Sequence, residues 1–410
     1  MQRLSFIFIF FINIILSNDD NYVLVVSFDG FRHDYMKQVS TPNFDDIEKN
    51  GVVSEGLVPV FPSLTFPNHY SMATGAYSGK HNIIGNSFYD KIYGEKYDFH
   101  DKNTVRDPKF YKSEPIWVTA ERQGLKTASY YWVGTEAPIK GYYPSIFKYY
   151  DSSISFSSRI DSVVSWFELT EEKRPRLAML YFSEPDHTGH MDGASHRNVF
   201  NKVSEMDALL GYLMEELKKL EVFSKLNIFL LSDHGMVDVN DKHLIILDDY
   251  IEDIENYNIQ GRGAYVQIDK KNHQELNMKK LQKEISQIPY CKFWKNNDMP
   301  ERFHYDNVSV GKYLILADEG WFITMDSEMQ KKGLSVSGMH GYDPILSSMH
   351  GIFYAYGPKI KSGVKISKFE NIHVYPLLCR LLGIDEYDNE IDGPDGDLKV
   401  LEKILINVNE

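Results

Sequence analysis

A chain of 410 residues, 43% of them hydrophobic, can bury a large core, which excludes a largely disordered protein. Its formal net charge of −14 excludes an extended nucleic-acid groove, which needs clustered Lys and Arg, but small anions remain accessible where metal ions supply positive charge. Aromatic side chains, at 14%, serve a core and stacking platforms alike.

The chain starts MQRLSFIFIFFINIILS, in which Arg3 precedes an apolar run from Leu4 to Leu16. This reads as a signal peptide over residues 1–17, too short for an ordinary membrane span. An uncleaved signal anchor is the rival reading. The C-terminal KVLEKILINVNE is too short and too charged to span a membrane or to signal a lipid anchor. The expected setting is extracellular: secreted, or held at the cell surface by the signal anchor.

Next come three short apolar runs, Val23 to Phe28, Leu177 to Phe182 and Ile228 to Leu231, each followed closely by an acidic residue: Asp29, Asp186 and Asp233. Such runs fit central strands covered on both faces by helices, and ligands in open α/β sheets gather beyond the carboxyl ends of strands. Helical patterns at Arg159 to Leu169 and Asn198 to Leu220 alternate with them, so the expected class is α/β. From about Asp241 the texture becomes more charged. Strand-like Ala264 to Ile268 and Lys312 to Ala317 flank a Lys-rich helix near Gln274 to Ile288, which reads as an α+β insertion. The apolar Ile352 to Tyr356 then rejoins the main sheet. Cys291 and Cys379 are few for an exported chain, and their pairing is left open, since Cys379 falls in an apolar helical pattern. Asn307-Val308-Ser309 is a glycosylation sequon, which would make an exported chain a glycoprotein.

The chemistry gathers in a few motifs. In SEPDHTGH one helical turn separates Asp186 from His190, and in LLSDHGM Asp233 and His234 are adjacent before Gly235, which permits a tight backbone. Either pair alone is commonly a loop hydrogen-bonding feature. Their co-occurrence with Asp29 and with His340-Gly341 points to metal, and mixed carboxylate and imidazole ligands suit zinc. A hydroxyl between two such ions loses its proton readily, and Thr65 in FPSLTFPNHYSMATG is the best candidate. The pattern after it is helical, so Thr65 stands at or near a helix start whose free N–H groups favour a phosphoryl oxygen; the bland alternative is an ordinary N-cap.

These residues resemble the ectonucleotide pyrophosphatase/phosphodiesterases of the alkaline phosphatase superfamily. The motifs that carry the resemblance are FDGFR, PSLTFPNHYSMATG, HNIIGNSFYD, YFSEPDHTGH, LLSDHGM and the MHGYD-to-YGP segment, between about Tyr22 and Gly383. The resemblance implies an alkaline phosphatase-like central sheet covered by helices on both faces. It implies two zinc ions, one held by Asp29, Thr65, Asp233 and His234, the other by Asp186, His190 and His340. His350, which also precedes a glycine, is left out because the matching motif is the earlier MHGYD. The implied reaction is cleavage of phosphodiester or pyrophosphate bonds in nucleotides such as ATP and dinucleotides, through a phospho-threonine intermediate on Thr65. Asn86 matches a donor to a phosphate oxygen, although Gly-Asn is also ordinary turn chemistry. Phe66 and Tyr150 match an aromatic pair around the base; generic packing is the alternative, with Tyr131 and Tyr149 as substitutes for Tyr150.

The corresponding division is a signal peptide over 1–17, a phosphodiesterase domain over 20–240 and 334–395, and an inserted α+β subdomain over 241–333. The matched region stands almost alone, without the cysteine-rich modules or nuclease-like domain of larger relatives, which implies a compact member. A choline-phosphodiester substrate, glycerophosphocholine or a lysophospholipid, is the competing reading and needs a cationic-headgroup cage. Thr-Phe-Pro-Asn after the nucleophile resembles nucleotide-cleaving members more closely. A catalytically inactive binding protein is the reading least in keeping with a full ligand set.

Overall fold

The computed structural model describes residues 21–271, 277–327, 329, 336–387 and 393–406; the apolar run from Leu4 to Leu16 lies outside them. An eight-stranded sheet organises the chain. Its order is Val364–Ile366, Val52–Ser54, Phe353–Tyr356, Leu226–Leu231, Tyr22–Phe28, Leu177–Phe182, Thr127–Tyr130 and Ile146–Lys148. Within it Phe353–Tyr356 alone runs antiparallel to its neighbours.

The central strands are apolar at nearly every position, Ser27 and Asn227 excepted, because alternate side chains enter different cores. Val23, Val25, Met179, Phe229 and Leu231 belong to one cluster, whereas Leu24, Val26, Phe28, Leu180 and Leu230 belong to the other. The first cluster takes Tyr70 and Met72 from the helix Thr65–Thr74 and Leu377 and Leu378 from Val374–Leu382. The second takes Ile160 and Val163 from Phe156–Phe167 and Leu210 and Leu213 from Arg197–Leu217. Each such side chain contributes roughly 1.5–3 kcal/mol when fully buried. Truncating fully buried Leu24 to Ala therefore costs about 2–5 kcal/mol.

A second, antiparallel sheet is built from Tyr257–Gln260, Tyr265–Lys270, Tyr313–Ala317 and Cys291–Lys295, in that order. The helix Met278–Ile285 covers one face with Leu281 and Ile285 in a third cluster, which also takes Val237, Tyr342 and Met349, while Tyr265, Leu314 and Leu316 pack into the first. Both cysteines are free thiols, with Cys379 buried in the Val374–Leu382 helix. The sequon is folded inward: Asn307 Nδ2 donates to Gly79 O and Asn82 Oδ1, and Ser309 is buried. A glycan there would have to be attached before folding.

Sheet order now positions the acids. Leu226–Leu231, Tyr22–Phe28 and Leu177–Phe182 are adjacent and parallel, so Asp233, Asp29 and Asp186 emerge side by side from the same edge. Two reciprocal backbone bonds tie the last two strand ends together, Asp29 N–H to Phe182 O and Asp186 N–H to Asp29 O, both 2.9 Å.

Candidate active site

Asp29 follows its strand directly, and the chain turns away at Gly30 with φ of 65°. A Cβ at that glycine would stand 2.8 Å from Asp186 Cα, so both the turn and the close approach require glycine. Gly30 N–H donates to Asp233 Oδ1 at 3.1 Å, which orients that carboxylate. Gly235 serves differently from the expected tight turn: its φ is not in the left-handed region, and a Cβ there would collide with the Ser348 carbonyl.

Asp186 and His190 lie on one face of the short helix Asp186–Asp192. Their nearest atoms, Asp186 Oδ1 and His190 Nε2, are 3.5 Å apart, and His340 Nε2 is also 3.5 Å from that oxygen. His234 Nε2 lies 3.4 Å from Asp29 Oδ1, 3.2 Å from Asp233 Oδ2 and 3.2 Å from Thr65 Oγ1. The His234 and His340 rings stack at 3.6 Å between centroids. All seven residues singled out at the rim, Asp29, Thr65, Asp186, His190, Asp233, His234 and His340, thus meet in one cluster.

Protonation in this cluster follows from its partners. His190, His234 and His340 each direct Nδ1 at a backbone carbonyl, those of Gly338, Gly235 and Ser63, at 2.8–2.9 Å. A carbonyl only accepts, so in each ring Nδ1 carries a proton, which leaves the Nε2 lone pair as the one that can serve a ligand. Those lone pairs face carboxylates: Asp29 Oδ1, Asp186 Oδ1 and Asp233 Oδ2 are buried without a hydrogen-bond donor. Burial, and then the negative charges of Asp233 and Asp186, hold the Asp29 carboxyl well above its usual range. Burial, and then His234 and His190, depress His340 well below the ordinary imidazole value. Lone pairs facing lone pairs repel unless a cation lies between them, and this donor set fits one. Asp29, Asp233 and His234 form one group able to hold a metal ion, and Asp186, His234 and His340 another. In this geometry His234 is shared between the groups, and His190 joins through its 3.0 Å approach to His340 Nε2.

Thr65 is the first residue of the Thr65–Thr74 helix, and Leu64 is its N-cap, with no side-chain cap. The threonine hydroxyl is therefore not spent on capping. One N–H expected to be free at this helix start is engaged: Phe66 N–H donates to Asn86 Oδ1 at 3.0 Å. This fixes the Asn86 amide and leaves its NH₂ end as the donor.

Two residues that the motif reading passed over support the cluster. His69, one helical turn after Thr65 and fully buried, directs Nδ1 to Thr65 O at 2.9 Å and lies 3.3 Å from Asp233 Oδ2; its Nε2 is 2.8 Å from Ser27 Oγ. The i,i+4 spacing within TFPNH was the available signal. Tyr181 Oη donates to Asp29 Oδ2 at 2.5 Å, a long-range contact with no local signature.

A cavity of about 470 Å³ opens from the cluster, with Phe66, Asn86, Phe99, Tyr131, Tyr150 and Tyr181 among its walls. Tyr131 and Tyr150 are in contact, at 5.0 Å between centroids. Tyr149 stands instead beneath the Arg106 guanidinium, 4.0 Å from its ring, and does not line the cavity. His350 is buried elsewhere, with Nε2 3.0 Å from Pro344 O.

A sequence profile described as Type I phosphodiesterase / nucleotide pyrophosphatase matches residues 23–343. The chain belongs to this family. Among its relatives, human ectonucleotide pyrophosphatase/phosphodiesterase family member 5 is 35% identical over 372 residues, 90% of this chain and 76% of that protein. Venom phosphodiesterase CdcPDE of Crotalus durissus collilineatus is 34% identical over 390 residues, 93% of this chain but 46% of its own length. The chain thus spans about half the length of the venom relatives. A solved structure of murine ectonucleotide pyrophosphatase/phosphodiesterase 5, inactive and in complex with AMP, matches with a TM-score of 0.87 at 32% identity. That match covers 94% of this chain and all of the other. The fold is accordingly the alkaline phosphatase-like α/β fold of the phosphodiesterase family. Among the described residues no helix is long and apolar enough to cross a membrane.

Proposed function

We propose that this phosphodiesterase family member hydrolyses phosphodiester or pyrophosphate bonds of extracellular nucleotides at a two-zinc centre, releasing nucleoside 5′-monophosphates. The observation that carries the reading is the set of three buried, donorless carboxylate oxygens facing three imidazole Nε2 atoms, with Thr65 Oγ1 at their edge. Asp29, Asp233, His234 and Thr65 would hold one ion, and Asp186, His190 and His340 the other. Bound there, zinc would supply Lewis acidity to the reacting oxygens and favour the alkoxide form of a nearby hydroxyl.

The remaining steps belong to the chain. Thr65 Oγ1 forms a bond to phosphorus as the bond to the leaving oxygen breaks, and the leaving group departs as an alcohol or phosphate. Water then cleaves the bond between phosphorus and Oγ1, returning the proton to threonine. Two in-line steps retain configuration at phosphorus. The Asn86 NH₂ donates to a phosphate oxygen, and Phe66 and Tyr150 flank the base. A solved structure of a family relative in complex with AMP supports nucleotides as the substrate class. The signal-peptide pattern supports export.

Thr65→Ala should lower ATP hydrolysis about a thousandfold or more while the protein still folds and binds zinc. Turnover close to that of the unaltered protein would sink the covalent route. Cleavage of a p-nitrophenyl choline phosphodiester in preference to ATP would move the substrate to choline lipids.

A further inference from the structure

Tyr149 and Tyr150 are 52% and 45% exposed, so burial does not hold this stretch of chain in place. Polar ties do. Glu136, in the turn after the Thr127–Tyr130 strand, accepts Tyr150 N–H at Oε1, 2.7 Å away, and Arg106 Nε–H at Oε2, 2.9 Å away. Its carboxylate is 10% exposed, and both oxygens are engaged. Arg106 in turn lies over the Tyr149 ring, and the next carbonyl along the chain, that of Asp151, accepts from Tyr131 Oη at 3.2 Å.

Arg106 closes the short helix Lys102–Val105, which follows Phe99; Phe99 meets Phe66 edge-on at 5.5 Å between centroids. The Arg106–Glu136 pair therefore joins the segment that backs one wall of the slot to the segment that carries the other wall. A carboxylate this shielded costs free energy unless it is fully paired, and here the pairing is spent on the backbone of Tyr150.

We propose that Arg106 and Glu136 act as a latch that fixes the Tyr150 wall and so sets the protein's preference for phosphodiesters that carry a nucleobase. This rests on the nucleotide reading above and names two positioning residues for it. Preordering a stacking ring lowers the entropy lost when a base enters.

The test compares KM and kcat for a dinucleoside polyphosphate and for a base-free aryl phosphodiester. Glu136→Ala should raise the nucleotide KM about five- to tenfold, part of what a stacked base contributes, with kcat falling far less. The preference for nucleotide over aryl ester should fall by the same factor. Glu136→Gln, which keeps an acceptor for Tyr150 N–H, should recover most of the affinity. In a Tyr150→Ala background Glu136→Ala should have little further effect, because the latch acts through that ring. Equal losses on both substrates, or additive effects of the two alanine changes, would overturn the latch. If Glu136→Ala does not fold, Arg106→Ala, at a side chain 36% exposed, carries the same comparison with a nucleotide KM raised about threefold. An unaltered enzyme indifferent to nucleotides would overturn the functional reading itself, a result separable from any variant's.

Discussion

The rim of the sheet and the slot beside it are built on opposite plans. At the rim, three carboxylates each turn one donorless oxygen toward imidazole lone pairs, so the arrangement is complete only when positive charge joins it. In the slot, Phe66, Phe99, Tyr131 and Tyr150 are placed by ring contacts and by ties such as that to Glu136. Removing something from the rim should therefore act on both stability and reaction, whereas changes in the slot should act on affinity.

Metal removal is the hardest blow to that contrast. Chelation should abolish hydrolysis and lower the melting temperature by about 5 °C or more, because ions that bind only the folded state stabilise it. A chelator-treated protein with unchanged melting and activity would erase the distinction. Tyr181→Phe is smaller in scope: losing the hydroxyl that orients Asp29 should weaken metal retention about tenfold, read by competition with a chromophoric chelator. Nucleotide KM measured at saturating metal should hold, and a shift in KM alone would reassign Tyr181 to the slot. Phe66→Ala should have the mildest effect, raising nucleotide KM about tenfold through lost stacking while melting stays within a few degrees. Loss of metal in that variant would show that rim and slot are one unit.

How much of this the sequence disclosed depended on the distance over which each feature is encoded. The apolar runs ending near Asp29, Asp186 and Asp233 are local patterns, and they foretold both the strands and the edge from which the acids emerge. Chain order along a parallel sheet did the rest. The Thr65 helix was readable for the same reason, although its cap, Leu64, and the use of Phe66 N–H by Asn86 were not. Sequence could not separate Tyr150 from Tyr131 and Tyr149: Tyr131, with a left-handed backbone at φ 70°, lines the cavity beside Tyr150, and only Tyr149 turns away, to Arg106. Arg106 and Glu136 are 30 residues apart and carry no periodic signal, so only folding pairs them. The third cluster around Val266, Leu281 and Ile315 matches the strand-like and helical patterns of the charged stretch.

The reciprocal bonds between Asp29 and the Leu177–Phe182 strand end make the sheet a ruler. The backbone separation of Asp29 and Asp186, one from each ligand group, follows the spacing of neighbouring strands, about 4.8 Å. Residues around the slot can then be exchanged while this gauge between the acids stays as it is. Recalibrating that gauge would require unpicking two strands at once, a step that single substitutions do not reach.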